Sequence, residues 1–440
     1  MNIDIPSAVS GILSTIEQHG FEAYTVGGCV RDTLYGIVPH DWDICTNAAP
    51  EQVKACFPAD TKIIETGIRH GTITIRMDHQ SYEVTTFRVD GAYSDHRHPK
   101  EVKFVHSLKE DLSRRDFTVN AMAYHPQKGL IDHFNGYEDL KRKCIRCVGD
   151  PNLRFQEDAL RIMRALRFAA TYDFTIAHDT QQALYQNKNL LCTISVERLN
   201  IEFCKLLCGI AAASILNEYA AVFCTFIPEL KPMIGLERPY HNLDVWQHTI
   251  KSVANTPSDL ILRLTMLFHD IAKPDAYRQD ETHIGHFYDH AQKSAAMSES
   301  ILTRLRFDKE TISEVKELIL YHGIPLESES KSLKHWLNKI GASRLRKLIE
   351  IQRADTLGIS HQAERLKQLD TISLAIDEII QQKQCFSLKN LAINGSDLIQ
   401  IGMQEGTQIG ATLHHLMNLV IEEKLPNERH ALLNAIMNWK

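Results

Sequence analysis

The chain has 440 residues with a formal net charge of −6, and 44% of its residues are hydrophobic. This composition is typical of a globular protein and excludes a uniformly basic nucleic-acid coat, although it allows a local basic surface. The 10 cysteines are scattered through helical segments, which predicts free thiols in a reducing cytoplasm. Because no apolar run is long enough to span a bilayer and no N-terminal signal segment is recognisable, we expect a cytoplasmic protein without a membrane partner.

The first predicted elements carry a glycine turn followed by two aspartates. A strand at Ala23–Val26 leads into Gly27-Gly28, and a short helix follows. Glycines let a backbone approach a triphosphate closely, and a helix N-terminus attracts anions. Asp41 and Asp43 alternate on a predicted strand, so both can face one pair of magnesium ions, which clamp the oxygens of an in-line phosphoryl displacement. The combination predicts a nucleotidyl-transfer site, whereas each part alone is more typical of a structural turn or a solvated strand end.

Further polar side chains follow on the next strands. The segment from Gln80 to Arg88 is predicted as a strand that carries Glu83. This residue is either a third carboxylate for a two-metal site or an edge residue in solvent. The long polar connection from Asp90 to Val102 is either functional or merely mobile.

Paired arginines precede the next apolar segment. Arg114 and Arg115 suit a triphosphate, because a guanidinium binds phosphate through two donors at once. We expect Asp116 to orient Arg115. The alternative is an ordinary surface ion pair.

Phe155 to Phe168 is predicted as a single basic helix. Arg161, Arg164 and Arg167 fall within about one third of its circumference, and unneutralised arginines on one stripe predict a phosphate partner. Asp158 and Arg161 lie side by side, and a carboxylate acceptor beside guanidinium donors can read the hydrogen-bonding edge of a base. The alternative is an amphipathic helix with a salt-bridged basic face.

The order of the elements predicts the fold class. Residues from about 21 to 150 mix short strands with helices, whereas the sequence from about Glu157 onward is helical almost throughout, with apolar residues at three- and four-residue steps. This pattern predicts an α+β head followed by a long all-helical body.

Five motifs occur in a fixed order along the first half of the chain. They are G-G-x-V-R-D with D-x-D at 27–43, R-R-D-F-T-x-N-A at 114–121, D-x-x-x-G-x-x-D-L at 132–140, E-D-x-x-R at 157–161, and E-R-x-x-x-E at 197–202. Together they resemble the class II tRNA nucleotidyltransferases, a family that comprises CCA-adding enzymes and bacterial poly(A) polymerases.

The resemblance implies roles for individual residues. Asp41 and Asp43 would be catalytic and hold magnesium. Glu83 joins this catalytic set as the third carboxylate that the strand pattern alone suggests. Asp158 and Arg161 would pair with cytosine or adenine in place of a nucleic-acid template, because both bases present an amino donor beside a ring-nitrogen acceptor. The segment 90–102 matches a flexible loop used in changing from CTP to ATP. The residues expected to bind the nucleotide are Gly27, Gly28, Arg31, Arg114, Arg115, Asp116, Asn120, Asp158, Arg161, Arg164 and Arg167.

A second candidate site lies in the helical half. An apolar helix ends at His269-Asp270, with His248 upstream and Asp355 downstream. This order resembles bacterial relatives with an HD domain and the HD metal-dependent phosphohydrolases, and imidazole with carboxylate suits a transition metal that activates water. The alternative is a retained scaffold with packed or solvent-facing histidines. Three further histidines could extend the site: His286, His290 and His322.

The expected architecture is a mixed-sheet nucleotidyltransferase head followed by an elongated all-α neck, body and tail that includes an HD-type helical domain. The head is expected at 1–145 and a neck that selects the nucleobase and binds RNA at 146–210. A body with the HD-type metal site is expected at 211–370, and a tail that binds tRNA at 371–440.

The resemblance implies template-independent addition of C, C and A to the tRNA 3′ end from CTP and ATP, with release of pyrophosphate. The implied cofactors are two Mg²⁺ ions at the head and a transition-metal ion at the HD-type site. The implied partners are the acceptor arm and elbow of tRNA, with the protein as a monomer or a dimer. The alternatives are a poly(A) polymerase or A-adding tRNA nucleotidyltransferase on the same scaffold, and, from another class, an HD-type phosphohydrolase.

Overall fold

The computed structural model describes residues 3–91, 102–237, 243–279, 285–359 and 363–438. The chain forms two compact units, Met1–Pro228 and Glu229–Lys440. The first unit contains the large sheet, and the second consists mainly of helices. The expected α+β fold is therefore confirmed, and the division into four domains stays a prediction. All 10 cysteines are free thiols, as expected.

The strands of the first unit come mostly before residue 133, and the second unit adds one short hairpin. The strands are β1 Ala23–Val26, β2 Asp43–Thr46, β3 Lys62–Ile64, β4 Thr72–Met77, β5 Gln80–Thr86, β6 Arg88–Asp90, β7 Val102–Phe104, β8 Met122–His125, β9 Gly129–Asp132, β10 Cys144–Ile145, β11 Thr175–Ile176, β12 Tyr277–Gln279 and β13 Gly285–Phe287.

Helices occur throughout the chain. Those of the first unit are α1 Ser7–Gln18, α2 Gly28–Tyr35, α3 Pro50–Cys56, α4 Leu108–Ser113, α5 Gly136–Lys141, α6 Pro151–Glu157, α7 Leu160–Tyr172, α8 His178–Asn187, α9 Val196–Leu207, α10 Ala212–Glu218 and α11 Ala220–Phe226. Those of the second are α12 Val245–Ala254, α13 Leu260–Phe268, α14 Lys273–Ala276, α15 His290–Arg304, α16 Lys309–Tyr321, α17 Ser330–Gly358, α18 Ala363–Gln381, α19 Gly395–Gln400, α20 Thr407–Ile421 and α21 Arg429–Met437. Short 3-10 helices occupy Ile68–His70, Thr118–Asn120, Lys188–Thr193, Pro228–Met233 and Leu388–Asn390.

The large sheet has seven strands in the order β3-β4-β5-β2-β1-β8-β9. Its pairs are antiparallel except β2 with β5, which is parallel and brings Asp43 opposite Glu83. On β5, Tyr82 and Val84 are buried while Glu83 is exposed, because alternate side chains point to opposite faces. The mixed sheet therefore places two carboxylates side by side on one face.

One expectation about the aspartates is wrong in detail. β2 begins at Asp43, so Asp41 lies before the strand and not on it. The reason is that β1 ends at Val26 and the chain turns away at Gly27. The residues before Asp43 therefore have no β1 residue to pair with.

Separate apolar clusters stabilise the two units. In the first, Tyr24, Val26, Cys45 and Phe87 pack beneath the sheet with Leu112. In the second, leucine and isoleucine side chains of α16, α17 and α18 form a buried cluster. Burial of such side chains contributes about 1.5–3 kcal/mol each.

Within the described ranges, no single helix has the length and apolar composition needed to cross a membrane. Val196–Leu207 and Ala212–Glu218 meet those criteria only as a pair, which is bent by 119°.

Candidate active site

The turn between β1 and α2 is shaped for an anion. Gly27 has φ +81 and precedes the first turn of α2, a conformation that residues with a side chain rarely adopt. A Cβ at Gly27 would lie 3.0 Å from Nη1 of Arg115. The free N–H groups of the helix therefore lie close to a guanidinium, and both donor types bind phosphate.

Carboxylates concentrate negative charge on the neighbouring strand end. Burial, together with Asp41 and Glu83, raises the pKa of Asp43 to about 6, although Arg115 acts in the opposite sense. The raised pKa means that burial and the neighbouring carboxylates disfavour the charged form of Asp43 more than Arg115 favours it. Carboxylate oxygens are ligands that Mg²⁺ accepts, and the ion commonly completes its shell with water and substrate phosphates. The chemistry of Asp41, Asp43 and Glu83 suits the magnesium ions that the resemblance implies, although within the described residues their ligand oxygens do not all lie within 4.8 Å of one another.

Asp111, which the sequence analysis missed, is the carboxylate that holds the paired arginines. It is fully buried and accepts from Nη2 of Arg114 at 2.9 Å and Nη2 of Arg115 at 3.3 Å. The expected role of Asp116 in orienting Arg115 is wrong. Asp111 lies three and four residues before the two arginines. On a helix this spacing makes them neighbours, so the sequence alone could have predicted these ion pairs.

Asp116 instead joins three elements. Its carboxylate accepts from Asn120 Nδ2 at 3.0 Å and from Arg164 Nε at 2.8 Å, and Asn120 Oδ1 accepts from Arg31 Nη1. Burial alone would raise the pKa of Asp116, but Arg164 and Asn120 hold it at about 2. Arg31 is buried and also donates to the hydroxyl of Tyr172 at 2.7 Å. These side chains tie α2 and the 3-10 helix at Thr118–Asn120 to α7.

The arginine stripe of α7 is neutralised, contrary to expectation. Arg161 pairs with Glu157 at 2.7 Å. Arg164 and Arg167 reach Glu202 at 3.5 and 2.6 Å. Glu202 is buried on α9, whose packing against α7 the arginine spacing alone did not reveal. The stripe is thus part of an ion-pair network.

The prediction of one continuous helix is wrong, because Asp158 does not lie within a helix. It has extended backbone angles, φ −134 and ψ 102, in the break between α6 and α7. Its Oδ1 caps α7 by accepting from Leu160 N at 3.1 Å, and its Oδ2 accepts from Arg198 Nη2 at 2.9 Å. The main-chain N–H of Arg161 donates to the Asp158 carbonyl at 3.0 Å. Asp158 and Arg161 therefore remain neighbours. Asp158 is also held by Arg198, which was not among the residues predicted to bind the nucleotide.

The predicted loop from Asp90 to Val102 lies almost entirely outside the described residues, which exclude 92–101. Its two ends are held by the antiparallel pair β6–β7.

Candidate metal ligands of the second unit converge on Asp270. Ligand atoms of His248, His269 and Asp270 lie within 4.8 Å of one another, as do those of Asp270, His290 and His322. Oδ2 of Asp270 is 3.2 Å from His269 Nε2, and Oδ1 is 3.7 Å from His290 Nε2. Two groups of side chains therefore share one carboxylate.

Asp355 completes the first group. Its Oδ1 lies 2.8 Å from His248 Nε2 and 3.5 Å from His269 Nε2. The close approach of α17 to α12 depends on Gly358, since a Cβ there would lie 2.3 Å from Ser252 Oγ and 3.0 Å from the His248 ring. The structure thus unites all four residues that the sequence assigned to this site. His286, in contrast, stacks on Tyr288 and belongs to neither group.

The histidine rings are oriented as metal ligands usually are. Nδ1 of His269, His290 and His322 lies 2.7, 3.0 and 2.6 Å from the carbonyl oxygens of Met266, Phe287 and Ile319. Such contacts leave Nε2 free to ligate a metal. Oδ1 of Asp270 is buried without a hydrogen-bond partner, and burial with His269 lowers the pKa of His322 to about 4. Burial alone would lower the pKa of His269 as well, but Asp270 and Asp355 raise it to about 9. A neutral His322 and the buried Asp270 oxygen fit a transition-metal ion, whose binding would displace the proton from His269.

Lys273, which the sequence analysis did not select, lies against the same carboxylate. Its buried ammonium donates to Asp270 Oδ2 at 2.5 Å. The lysine compensates part of the negative charge of Asp270 within the cluster.

Comparison with family models defines the class of protein. Residues 23–146 match the poly A polymerase head domain, residues 173–222 match the probable RNA and SrmB-binding site of polymerase A, and residues 277–436 match a putative tRNA nucleotidyltransferase domain 2. With the carboxylates beside the glycine turn, these matches define a nucleotidyltransferase.

Individual relatives and a solved structure show which nucleotidyltransferase family the chain belongs to. The CCA-adding enzyme of Levilactobacillus brevis is 38% identical over 97% of this chain and 96% of its own length. That of Geobacillus stearothermophilus is 51% identical over 47% of this chain and 50% of its own. A crystal structure of the Bacillus stearothermophilus CCA-adding enzyme in complex with CTP covers 99% of this chain and 98% of its own, with TM-score 0.73 and 30% identity. The chain belongs to the family of CCA-adding enzymes.

We predict that Gly27→Ala weakens CTP binding by about tenfold, because the methyl group displaces Arg115; this equals about 1.4 kcal/mol, the size of one charge-assisted hydrogen bond. Gly36→Ala, at the other end of α2, is the control for a positive φ without a steric contact: Gly36 has φ +84 and ψ 20, against ψ −127 at Gly27, and a Cβ there would have no atom within 4 Å. Calorimetric titration with CTP measures the affinity. Equal losses in both variants would show that backbone strain, and not the contact with Arg115, is responsible.

Proposed function

We propose that this chain adds C, C and A to the 3′ end of tRNA in the cytoplasm, taking the nucleotides from CTP and ATP. The observation that carries the proposal is the parallel pairing of Asp43 with Glu83 next to the anion pocket of Gly27 and Arg115. Identity of 38% to a CCA-adding enzyme along almost the whole chain supports this specificity over a poly(A) polymerase.

The proposed reaction is an in-line displacement. The 3′-hydroxyl of tRNA loses its proton to solvent as its oxygen bonds to the α-phosphorus, while the bond from that phosphorus to the oxygen bridging it to the β-phosphorus breaks and pyrophosphate leaves. Two Mg²⁺ ions held by Asp41, Asp43 and Glu83 would supply Lewis-acid stabilisation of the oxygens that gain charge. Arg115 binds the phosphates and is itself held by Asp111, so its donors need little reorganisation during the reaction.

Asp158 and Arg161 are proposed to choose the base. Cytosine and adenine satisfy a carboxylate acceptor and a guanidinium donor together, whereas uracil and guanine leave buried groups unpaired at about 1–3 kcal/mol each. Arg198 fixes the carboxylate of Asp158 from α9. Arg31, Asp116, Asn120, Arg164 and Arg167 are proposed to support the pocket through their shared network.

The remaining assignments concern the partner RNA. We propose that the helices at 146–210 and 371–440 bind the acceptor arm and elbow of tRNA. Gly28 and Arg114 are also proposed to contact the nucleotide phosphates.

We predict that Asp43→Asn lowers CTP incorporation into tRNA lacking its CCA end by more than about a thousandfold, because the magnesium site loses charge. Asp60→Asn, at an exposed carboxylate of the same unit, should retain full activity. Labelled CTP and ATP, supplied separately and together, give the product length on a sequencing gel. Long adenosine tails on generic RNA would instead identify a poly(A) polymerase, and an active Asp43→Asn would overturn the assignment.

Selectivity for the base gives a separate prediction. Asp158→Asn replaces an acceptor oxygen with an amide donor, so the ratio of kcat/KM for CTP to that for UTP should fall by about tenfold or more. Asp173→Asn, at the exposed C-terminal end of α7, is the control, since asparagine tolerates its left-handed backbone. An unchanged ratio in Asp158→Asn would remove this residue from base selection.

A second function, metal-dependent hydrolysis of a phosphate ester, is favoured by the cluster around Asp270. The ligand set would comprise His248, His269, Asp270 and Asp355, with His290 and His322 on the second oxygen of Asp270. A transition-metal ion bound there would lower the pKa of a water molecule. In the hydrolysis, water oxygen bonds to phosphorus, the ester bond breaks, and the leaving alcohol takes a proton.

We predict that the purified protein binds Mn²⁺ or Ni²⁺ at this cluster and that Asp270→Asn weakens the binding at least about tenfold. Asp275→Asn, an exposed carboxylate nearby in sequence, should bind the metal normally. Calorimetric metal titration after chelator treatment measures both, and CCA addition reports on folding. Metal affinity that is the same in all three proteins would refute the site.

A further inference from the structure

A pocket of about 380 Å³ opens beside the metal-ligand cluster of the second unit. Its lining includes His322 and Asp355 from the cluster, and Gln352, Thr356 and Arg365 from α17 and α18. A volume in this range is typical of small-molecule sites. The pocket therefore joins the candidate metal site to a guanidinium within one concave surface.

The hydrogen-bond acceptors of Arg365 are all neutral. Its Nη2 donates to Gln352 Oε1 at 2.8 Å, and Nη1 donates to Gln368 Oε1 at 3.3 Å and to the Leu326 carbonyl at 3.5 Å. Among the described residues, no carboxylate forms an ion pair with it. Arg365 is half-buried and lines the pocket, where neutral oxygens hold its positively charged side chain.

Other arginines of the same helical region differ from Arg365 in this respect. On α17, Arg344 pairs with Glu317 at 2.6 Å, Arg346 with Asp377 at 2.6 Å and Arg353 with Asp370 at 2.8 Å. A guanidinium without an acidic partner, held in place by amide and carbonyl oxygens, is arranged to receive an anion from the pocket.

We propose that Arg365 anchors the phosphate group of a phosphate monoester in this pocket. The inference rests on the metal-dependent hydrolysis proposed above and names its substrate class. A monoester phosphate carries two negative charges and three terminal oxygens. These are enough to accept hydrogen bonds from the guanidinium of Arg365 and to bind a metal ion in the cluster around Asp270 at the same time. A diester has one charge and two such oxygens, and would satisfy the two sides less well.

The test uses inorganic phosphate as the probe and the full chain loaded with Mn²⁺. Calorimetric titration should give binding to the wild type, at least about tenfold weaker binding to Arg365→Gln, and binding within about twofold of the wild type for Lys367→Gln. Lys367 is an exposed lysine on the same helix, outside the pocket lining. Arg365→Lys should retain part of the affinity, because it keeps the charge but loses the fork. CCA addition by each variant checks folding.

Hydrolysis gives the second readout. Arg365→Gln should raise KM for para-nitrophenyl phosphate while leaving KM for bis(para-nitrophenyl) phosphate within about twofold. Equal phosphate affinity in the wild type and Arg365→Gln, or no phosphate binding by the wild type, overturns the anchor. If the wild type binds no metal, the proposed hydrolase fails, and titration of phosphate into the metal-free protein still decides whether Arg365 binds it.

Discussion

The parallel pairing of β2 with β5 is the constraint on which the head depends. It holds Asp43 beside Glu83 in a partly buried position, where burial, together with the charges of Asp41 and Glu83, raises the pKa of Asp43 to about 6. Carboxylates gathered in this way are costly without a cation, which is why their arrangement indicates function more than stability. Arg115 lies close to the glycine turn and acts electrostatically on Asp43.

Around this centre, the arginines are organised by buried acids. Asp111 holds the Arg114–Arg115 pair, Asp116 holds Arg164, and Glu202 holds Arg167. Removing one member of such a pair leaves the other charge buried without a partner, which is strongly destabilising. The same ion pairs also fix the guanidinium groups before a ligand arrives, so binding costs less conformational entropy. The network thus links the stability of the first unit to the preorganisation of its site.

Much of this was predictable from local sequence. The strand at Ala23–Val26, the Gly27 turn and the convergence of His248, His269, Asp270 and Asp355 follow from periodicity, turn chemistry and motif order. The errors concern contacts between distant segments: Glu202 neutralises α7 from another helix, and Arg198 anchors Asp158 in a break that the helical pattern concealed. Such pairings depend on packing, which periodicity does not report. Asp111 is different, because its i+3 and i+4 spacing to the arginines was visible in the sequence.

The two units differ in the side chains they gather: carboxylates and arginines in the first, which we propose to carry nucleotidyl transfer, and histidines with aspartates in the second, which we propose as a metal site. The central claim is that the head carboxylates hold the catalytic cations opposite the Gly27 turn. A crystal structure with CTP and Mn²⁺, whose anomalous scattering locates the metal, tests it most directly. The account predicts metal density bridging Asp41, Asp43 and the phosphates, with the base beside Asp158 and Arg161. Phosphates bound without metal at Asp43, or a base far from Asp158, would contradict it.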